Sequence, residues 1–196
     1  MKLVKPSFEI IEQESGYEGM LRHIEKCGRT CYKSEDKITE DSAKKFVDMI
    51  INRGHTAMVE HGTVYLTCES TADEYGRVTL PNLKGNYQYN PYSYVKSVQI
   101  WEEPNEIQIE YCRKIPKTIW YITTNYRVLL QNNWLDDLKY QCEPTEHHVK
   151  RITVKFVCDR GVSHEFVRHR VFSFAQESTR YCNYSKTKFD NQLTFI

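Results

Sequence analysis

The sequence predicts a mixed α/β fold of the α+β kind, on three observations. Segments with period-two alternation, such as 63–68 and 151–158, are interspersed with segments at helical spacing, such as 17–31 and 40–53. A Pro-, Asn- and Tyr-containing stretch over 70–117 follows neither period and reads as an irregular insertion. The chain has 196 residues, 40% hydrophobic and 27% charged, which suits one globular domain, with room for a sizeable insertion, and argues against wholesale disorder.

In chain order, Ser7–Gln13 has short strand character. Residues 17–31 form a helix on Met20, Leu21, Ile24 and Cys27 or Cys31. A second helix at about 40–53 buries Ala43, Phe46, Val47 and Ile50, with Thr39 as N-cap and Gly54 as stop. Residues 63–68 place Val64, Leu66 and Cys68 on one strand face. Within 70–117, Pro81, Pro91, Pro104 and Pro116 leave room for one strand at Val95–Trp101. A strand at 118–123 and a helix at 125–141 follow. The strand at 151–158 puts Ile152, Val154, Phe156 and Cys158 on one face, and a short helix at 162–171 runs on Val162, Phe166, Val167 and Val171. The final run, Leu193-Thr194-Phe195-Ile196, is apolar, the mark of a fragment of a longer protein or of a last strand held by a neighbour.

Composition narrows the function. The formal net charge is +1, which disfavours a polybasic nucleic-acid binder while leaving a local basic patch open. No apolar run approaches the length of a membrane span, and the start lacks the apolar core and cleavage pattern of a signal peptide. Seven scattered cysteines without a CxxC pair read as reduced thiols, so the expected location is the cytoplasm.

The densest chemistry lies between Ser163 and Tyr181. Arg168, His169 and Arg170 are consecutive. On a helix they fan out by about 100° per residue, so they do not serve one partner. A basic helix end explains them electrostatically; a pair of guanidinium forks flanking an anionic or ring-shaped ligand explains them chemically. Beyond Arg170 an extended chain puts Gln176, Ser178 and Arg180 on one face, either a cradle for a phosphorylated ligand or a solvated edge strand. A second constellation, Gly54-His55-Thr56-Ala57-Met58-Val59-Glu60-His61, sits where a helix gives way to a strand. Its spacing misses the zinc-protease pattern, so capping or hydrogen-bonded histidines are expected and no metal. His147-His148 reads as solvated. Asn125-Tyr126-Arg127 reads as a helix start. No GxGxxG, P-loop or nucleophile elbow is present.

Arg168-His169-Arg170, seven residues, then Ser178 resembles the signature of the flavin-dependent thymidylate synthase (ThyX) family. The flanks agree: Ser163-His164-Glu165 before it, and Phe172 to Gln176 and Arg180-Tyr181 within and after it. Gly54-His55 through Glu60-His61 resembles the family's upstream block, and Gly28-Arg29-Thr30-Cys31-Tyr32 its first helix–loop element. The resemblance covers about 25–70 and 150–190. It implies a single domain of a ThyX-like α/β fold, a central mixed or antiparallel sheet with flanking helices, with 70–150 as an insertion absent from compact relatives. It also implies a cytoplasmic homotetramer with active sites at subunit junctions, FAD as cofactor, NADPH as reductant, and transfer of a methylene from methylenetetrahydrofolate to dUMP to give dTMP.

The resemblance places His55, Ala57, Glu60, Arg168, His169 and Arg170 at the flavin, and Glu165, Arg168, Gln176, Ser178 and Arg180 at dUMP. No catalytic residue is assigned, because the family's uracil-ionising arginine has its counterpart beyond Ile196. Some relatives have Gln in place of Glu165 and Asn-Glu in place of Ala175-Gln176. Two other readings stand beside this one: a catalytically silent flavin- or nucleotide-binding module, and an RNA-binding domain using Arg168–Arg170 with the Tyr-rich 75–94 segment.

Overall fold

The computed structural model describes residues 2–73, 75, 77–79, 81–103, 114–169, 172–178 and 194–195. The elements are β1 (Lys2–Leu3), β2 (Ser7–Ile11), α1 (Gly16–Tyr32), α2 (Ser42–Asn52), β3 (Thr63–Glu69), β4 (Thr71–Ala72), β5 (Val78–Thr79), β6 (Tyr94–Glu102), β7 (Ile115–Asn125), α3 (Tyr126–Gln131), β8 (Thr153–Val157), α4 (Arg160–Phe166) and β9 (Thr194–Phe195), with 3-10 turns at Glu35–Lys37, Thr56–His61, Tyr87–Tyr89 and Leu135–Tyr140. The chain divides into two compact units, Met1–Gly62 with Arg151–Ile196, and Thr63–Lys150. In sequence the second interrupts the first.

The first unit is organised by α1. Met20, Leu21, Ile24 and Cys27 are buried, as are Ala43, Phe46, Val47 and Ile50 on α2. This apolar packing encloses a charge network. The Glu25 carboxylate, 1% exposed, accepts from Arg29 Nε at 2.8 Å and from the Ser42 hydroxyl at 2.9 Å. The Arg29 guanidinium lies 4.6 Å over the Phe46 ring. A buried carboxylate with all its partners in place costs little and fixes the helix pair in register. The N-cap of α2 is Asp41 rather than Thr39. Thr39 instead donates its backbone N–H to the Ser42 hydroxyl, an interaction just ahead of the first turn. The α2 run closes at Gly54, whose φ of +74° suits a residue without Cβ.

Antiparallel strands β2 and β8 pair Phe8 with Phe156 and Ile10 with Val154. The opposite face carries buried Ile11, and from it the Thr153 hydroxyl meets His23 Nε2 at 2.9 Å. The alternation read from 151–158 is present, and the face bearing Ile152 and Phe156 is largely open, at 72% and 52% exposure. β1 and β9 pair in parallel, Lys2 with Thr194 and Leu3 with Phe195.

The second unit is built on the antiparallel sheet β3-β7-β6, with β4 and β5 forming a small ribbon. Val64, Leu66, Ile122, Val128 and Leu129 are buried. The expected helix over 125–141 is two pieces. Asn132 and Asn133 are poor helix formers, and Asn133 takes φ +59°, ending α3 with Trp134 N–H donating to Leu129 O at 2.8 Å. Asn125 caps α3, its side chain accepting from Val128 N–H at 3.1 Å. The irregular loop before β6 is tied to the 3-10 turn after α3. Asp137, 0% exposed, accepts from Lys84 N–H, Gly85 N–H and the Tyr87 hydroxyl, each at 2.8 Å. A Cβ at Gly85 would meet the Tyr87 ring and come within 2.8 Å of Trp134, so only glycine fits this corner.

Mixed α and β structure with antiparallel sheets and flanking helices therefore matches expectation. The expected central sheet is replaced, among the described residues, by four small sheets, the largest of which lies in the second unit. The interrupting unit starts at Thr63, so the strand at 63–68 belongs to it.

Candidate functional site

Two motif segments of the first unit, the His55 block and the stretch that ends at Ser178, meet at the C-terminal end of α1. That helix ends in a left-handed residue, Lys33, at φ 47°, with Ser34 N–H donating to Arg29 O at 3.0 Å and Lys33 N–H to Thr30 O at 3.3 Å. The carbonyl of Cys31 stays available and accepts the backbone N–H of Ser178 at 3.0 Å. The next residue, Tyr32, hydrogen-bonds His55 Nδ1 through its hydroxyl, and its ring packs edge-on to Phe46. One turn of α1 thus joins the His55 block to the Ser178 segment.

His55 precedes the 3-10 turn Thr56–His61, which carries Ala57 and Glu60. The two histidines of this block have separate partners. His61 is buried, and its Nε2 has no partner among the described residues. Burial, aided by the nearby Arg151 charge, lowers the His61 pKa to about 4 against weaker opposition from the Phe174 carbonyl and Glu60. Burial likewise lowers His23 to about 4, with His61, Lys26 and Arg151 adding to the effect. Both rings are neutral near pH 7. No group of three or more metal-ligating side chains exists among the described residues.

Helix α4 is shorter than the expected 162–171 and ends at Phe166. Its N-cap Asp159 accepts from Gly161 N–H at 2.6 Å. Arg168 and His169 follow in a turn, with Arg168 N–H donating to Glu165 O and His169 N–H to Phe166 O. They stand at a helix end, where the dipole favours cations. The Arg168 guanidinium meets the Glu165 carboxylate at 3.0 Å, with the two side chains 73% and 67% exposed. Such an exposed pair holds its partners weakly and leaves both open to a ligand.

Residues 172–178 form an irregular strap. Ser173 Oγ accepts from Arg151 at 3.2 Å, Gln176 donates to Ser163 Oγ at 2.9 Å, and Glu177 lies 3.6 Å from Lys33 Nζ. Gln176 and Ser178 are half-buried and Glu177 is exposed between them. Arg170 and Arg180 lie outside the described residues, as do Val171 and Tyr181.

The sequence reading missed Tyr32 and Ser163 as partners of the site residues His55 and Gln176. Both stood in quoted motifs, and neither has a spacing that signals its contact.

His147-His148 differs from expectation. His148 is buried. Its Nδ1 accepts from Thr145 N–H at 3.0 Å and its Nε2–H donates to Leu66 O at 3.1 Å. Cys142 Sγ lies 3.9 Å from that nitrogen, but the ring has no lone pair left to take a thiol proton. This pair is structural. Two clefts in the second unit, of about 240 and 730 Å³, are lined by residues such as Glu69, Lys117, Cys68 and Tyr140, and neither contains a motif residue. Size alone does not make them sites without converging polar groups.

The strap and the turn before it contain the motif on which the resemblance rested. Residues 132–195 match the family model described as thymidylate synthase complementing protein. The matched stretch is about a third of the chain and contains Arg168 through Ser178. It supports the ThyX resemblance and relates the segment to thymidylate synthesis. It also begins at 132, inside the stretch read as an insertion, and leaves out 25–70. No curated protein and no solved structure matches the chain. Among the described residues no helix is long and apolar enough to cross a membrane.

Proposed function

We propose that the chain is a flavin-dependent thymidylate synthase, or the part of one that binds flavin and nucleotide, converting dUMP to dTMP with methylenetetrahydrofolate as carbon donor. The observation that carries the reading is the family match over 132–195, which contains the whole span from Arg168 to Ser178. Bound FAD, reduced by NADPH, supplies the hydride that completes the methyl group. The donor set suits these ligands. Arg168 and His169 stand open at the end of α4, where the Arg168 charge and the N–H groups of both suit a diphosphate or an electron-poor ring. His55, Ala57 and Glu60 would line the flavin from the 3-10 turn, with Arg170 completing the Arg-His-Arg triplet. Glu165, Gln176, Ser178 and Arg180 would hold dUMP, with Arg168 shared between the ligands. Ser178 acts as a hydrogen-bonding group rather than a nucleophile, since the sequence assigns it no local general base. Catalysis is electrostatic positioning of the uracil beside the flavin.

We further propose one ThyX-like domain into which the second unit is inserted, assembling as a cytoplasmic homotetramer with shared sites. Supporting assembly, Phe8, Ile10 and Phe156 are exposed on one face of the β2–β8 ribbon, and Phe156 stacks on Phe166 of α4 at 5.3 Å. Between Thr63 and Lys150 acidic side chains outnumber basic ones, which disfavours the RNA-binding reading of the Tyr-rich segment.

The test is the visible absorption spectrum of the chain after FAD loading and removal of excess, titrated with dUMP. A retained flavin band that shifts with dUMP is expected, and turnover then separates the enzyme from the silent module. Arg168→Ala is expected to abolish flavin or dUMP binding with the fold intact; unchanged binding of both sinks the assignment. Ser178→Ala is expected to weaken dUMP about tenfold, the size of one hydrogen bond to a charged group, with flavin little changed.

A further inference from the structure

The Ser163 hydroxyl makes two hydrogen bonds, and the first fixes the direction of the second. It donates to the Arg160 carbonyl, three residues earlier, at 2.9 Å, and it lies 2.9 Å from the Gln176 side-chain amide. A carbonyl only accepts, so the single hydroxyl proton belongs to the Arg160 bond. Toward Gln176 the oxygen then offers lone pairs alone, and the amide must turn an Nε2–H to it. The reverse orientation, with Oε1 against Ser163 Oγ, would set two acceptors in contact. Nε2 is therefore engaged with α4, and Oε1 is the end that remains. Gln176 makes no other hydrogen bond among the described residues. Ser163 is half-buried, whereas every other residue of α4 is exposed. The strap backbone is held on both sides of Gln176, by Arg151 on the Ser173 hydroxyl at 3.2 Å and by the Cys31 carbonyl on Ser178 N–H at 3.0 Å. With the backbone anchored, the sense of the amide is the variable that Ser163 controls.

We propose that Ser163 is a positioning residue that sets nucleotide specificity: it locks the Gln176 amide with Oε1 toward the ligand, so that this position accepts a hydrogen bond and selects a nucleotide offering a donor there. The nucleotide role of Gln176 rests on the function proposed above. An untethered glutamine amide turns by half a rotation and serves a donor or an acceptor alike. A fixed one discriminates, because the wrong ligand group sets acceptor against acceptor and leaves both unpaired. Two groups of dUMP are donors of the kind an amide oxygen takes, the uracil N3–H and the deoxyribose 3′-hydroxyl. dCMP carries a bare lone pair at N3, and the 2′,3′-dideoxy analogue of dUMP lacks the hydroxyl, so the two ligands tell the donors apart.

The test compares Ser163→Ala, which removes the hydroxyl, with Ser163→Thr, which keeps it, in the full chain loaded with FAD. The Kd is measured for dUMP, dCMP and the dideoxy analogue. The wild-type protein is expected to prefer dUMP by about tenfold over the ligand that lacks the matched donor. The alanine variant is expected to bind dUMP about fivefold more weakly and to lose about fivefold of that preference, since the amide now turns to suit either ligand; threonine is expected to restore both. Nuclear magnetic resonance of the Gln176 side-chain NH2 group, assigned by its loss in Gln176→Glu, reads the tether without nucleotide. A restrained amide is expected in the wild-type and threonine proteins and a freely rotating one in the alanine variant. Equal weakening of all three ligands by alanine marks a merely structural residue and overturns the proposal, as do unchanged preferences. A freely rotating amide in the wild-type protein overturns it without any variant. If the wild-type chain binds no dUMP, the functional reading falls and the selection proposed here falls with it, while the amide signal reports separately whether Ser163 orients Gln176.

Discussion

Each unit contains a non-repetitive segment held by polar contacts, and the two are finished differently. In the second, the loop from Asn82 to Tyr89 closes on Asp137, a carboxylate with no exposed surface whose three donors all come from within the loop. In the first, the strap from Phe172 to Ser178 is held mainly by partners that remain half-exposed, and it follows a turn whose Arg168 and Glu165 side chains face water. Buried polar groups that satisfy one another serve the fold, whereas polar groups placed on a fixed backbone with capacity to spare are available to a ligand. By that standard Asp137 is architecture, and Gln176, Ser178 and Arg168 are the residues proposed above for recognition. The family match runs through the strap and through Asp137, and omits the loop at 82–89.

The largest expected effect breaks the closed side. Asp137→Ala leaves two backbone N–H groups and the Tyr87 hydroxyl without an acceptor in a buried site. A loss of about 3 kcal/mol or more is expected in the unfolding of the second unit. All three tryptophans, Trp101, Trp120 and Trp134, lie in that unit, so intrinsic fluorescence in a denaturant titration reads it. A midpoint unmoved by the substitution would mean that the loop is held by apolar packing instead.

Acid probes the open side. His23 and His61 have folded pKa values of about 4, below the 6.5 of an exposed imidazole. The unfolded chain therefore binds more protons between these values. Stability from this source is complete above pH 6.5, falls as the pH drops from 6.5 towards 4, and is flat below. At about 1.4 kcal/mol per pKa unit, the loss is on the order of 3 kcal/mol for each ring taken alone. Hydrogen exchange of the Met20–Gly28 peptide across this window checks it, and a flat profile would mean that the rings are already hydrated.

The smallest effect sharpens the comparison. Lys33 takes a left-handed conformation that glycine adopts without penalty, and its ion pair with Glu177 is long and partly exposed. Lys33→Gly is expected to stabilise the first unit by about half a kcal/mol in thermal unfolding. A loss instead would show that the lysine charge, rather than the backbone of α1, fixes the end of the strap.

Periodicity made α1, α2 and β3 legible because each buries a regular face, and β8 legible through its alternation alone. It left two things open. Alternation shows that Ile152 and Phe156 share a face without showing whether anything covers it. Helical spacing over 125–141 concealed the break at Asn132-Asn133, where local propensity overrides the apolar pattern. At the candidate site, the residue types and their order were readable from Arg168 to Ser178. The contacts that arrange them were not. Tyr32 with His55, Cys31 with Ser178 and Ser163 with Gln176 each join separate parts of the chain, and no local period encodes such a pairing. His148 shows the same limit from the other direction: a histidine in a charged stretch is buried because Leu66 O and Thr145 N–H supply both of its partners.

Two thiols inside the molecule offer a clock for each unit. Burial pushes Cys27 in the first unit and Cys68 in the second up to about 11, so each is almost wholly protonated at neutral pH and shielded from an alkylating reagent. Their alkylation must wait for the surrounding structure to open. With modified peptides separated by mass, the labelling rate of Cys27 times the breathing of the helix pair and that of Cys68 times the breathing of the sheet. A single reagent added to the unaltered protein would then show which half of the molecule opens first, and whether a bound nucleotide slows one clock or both.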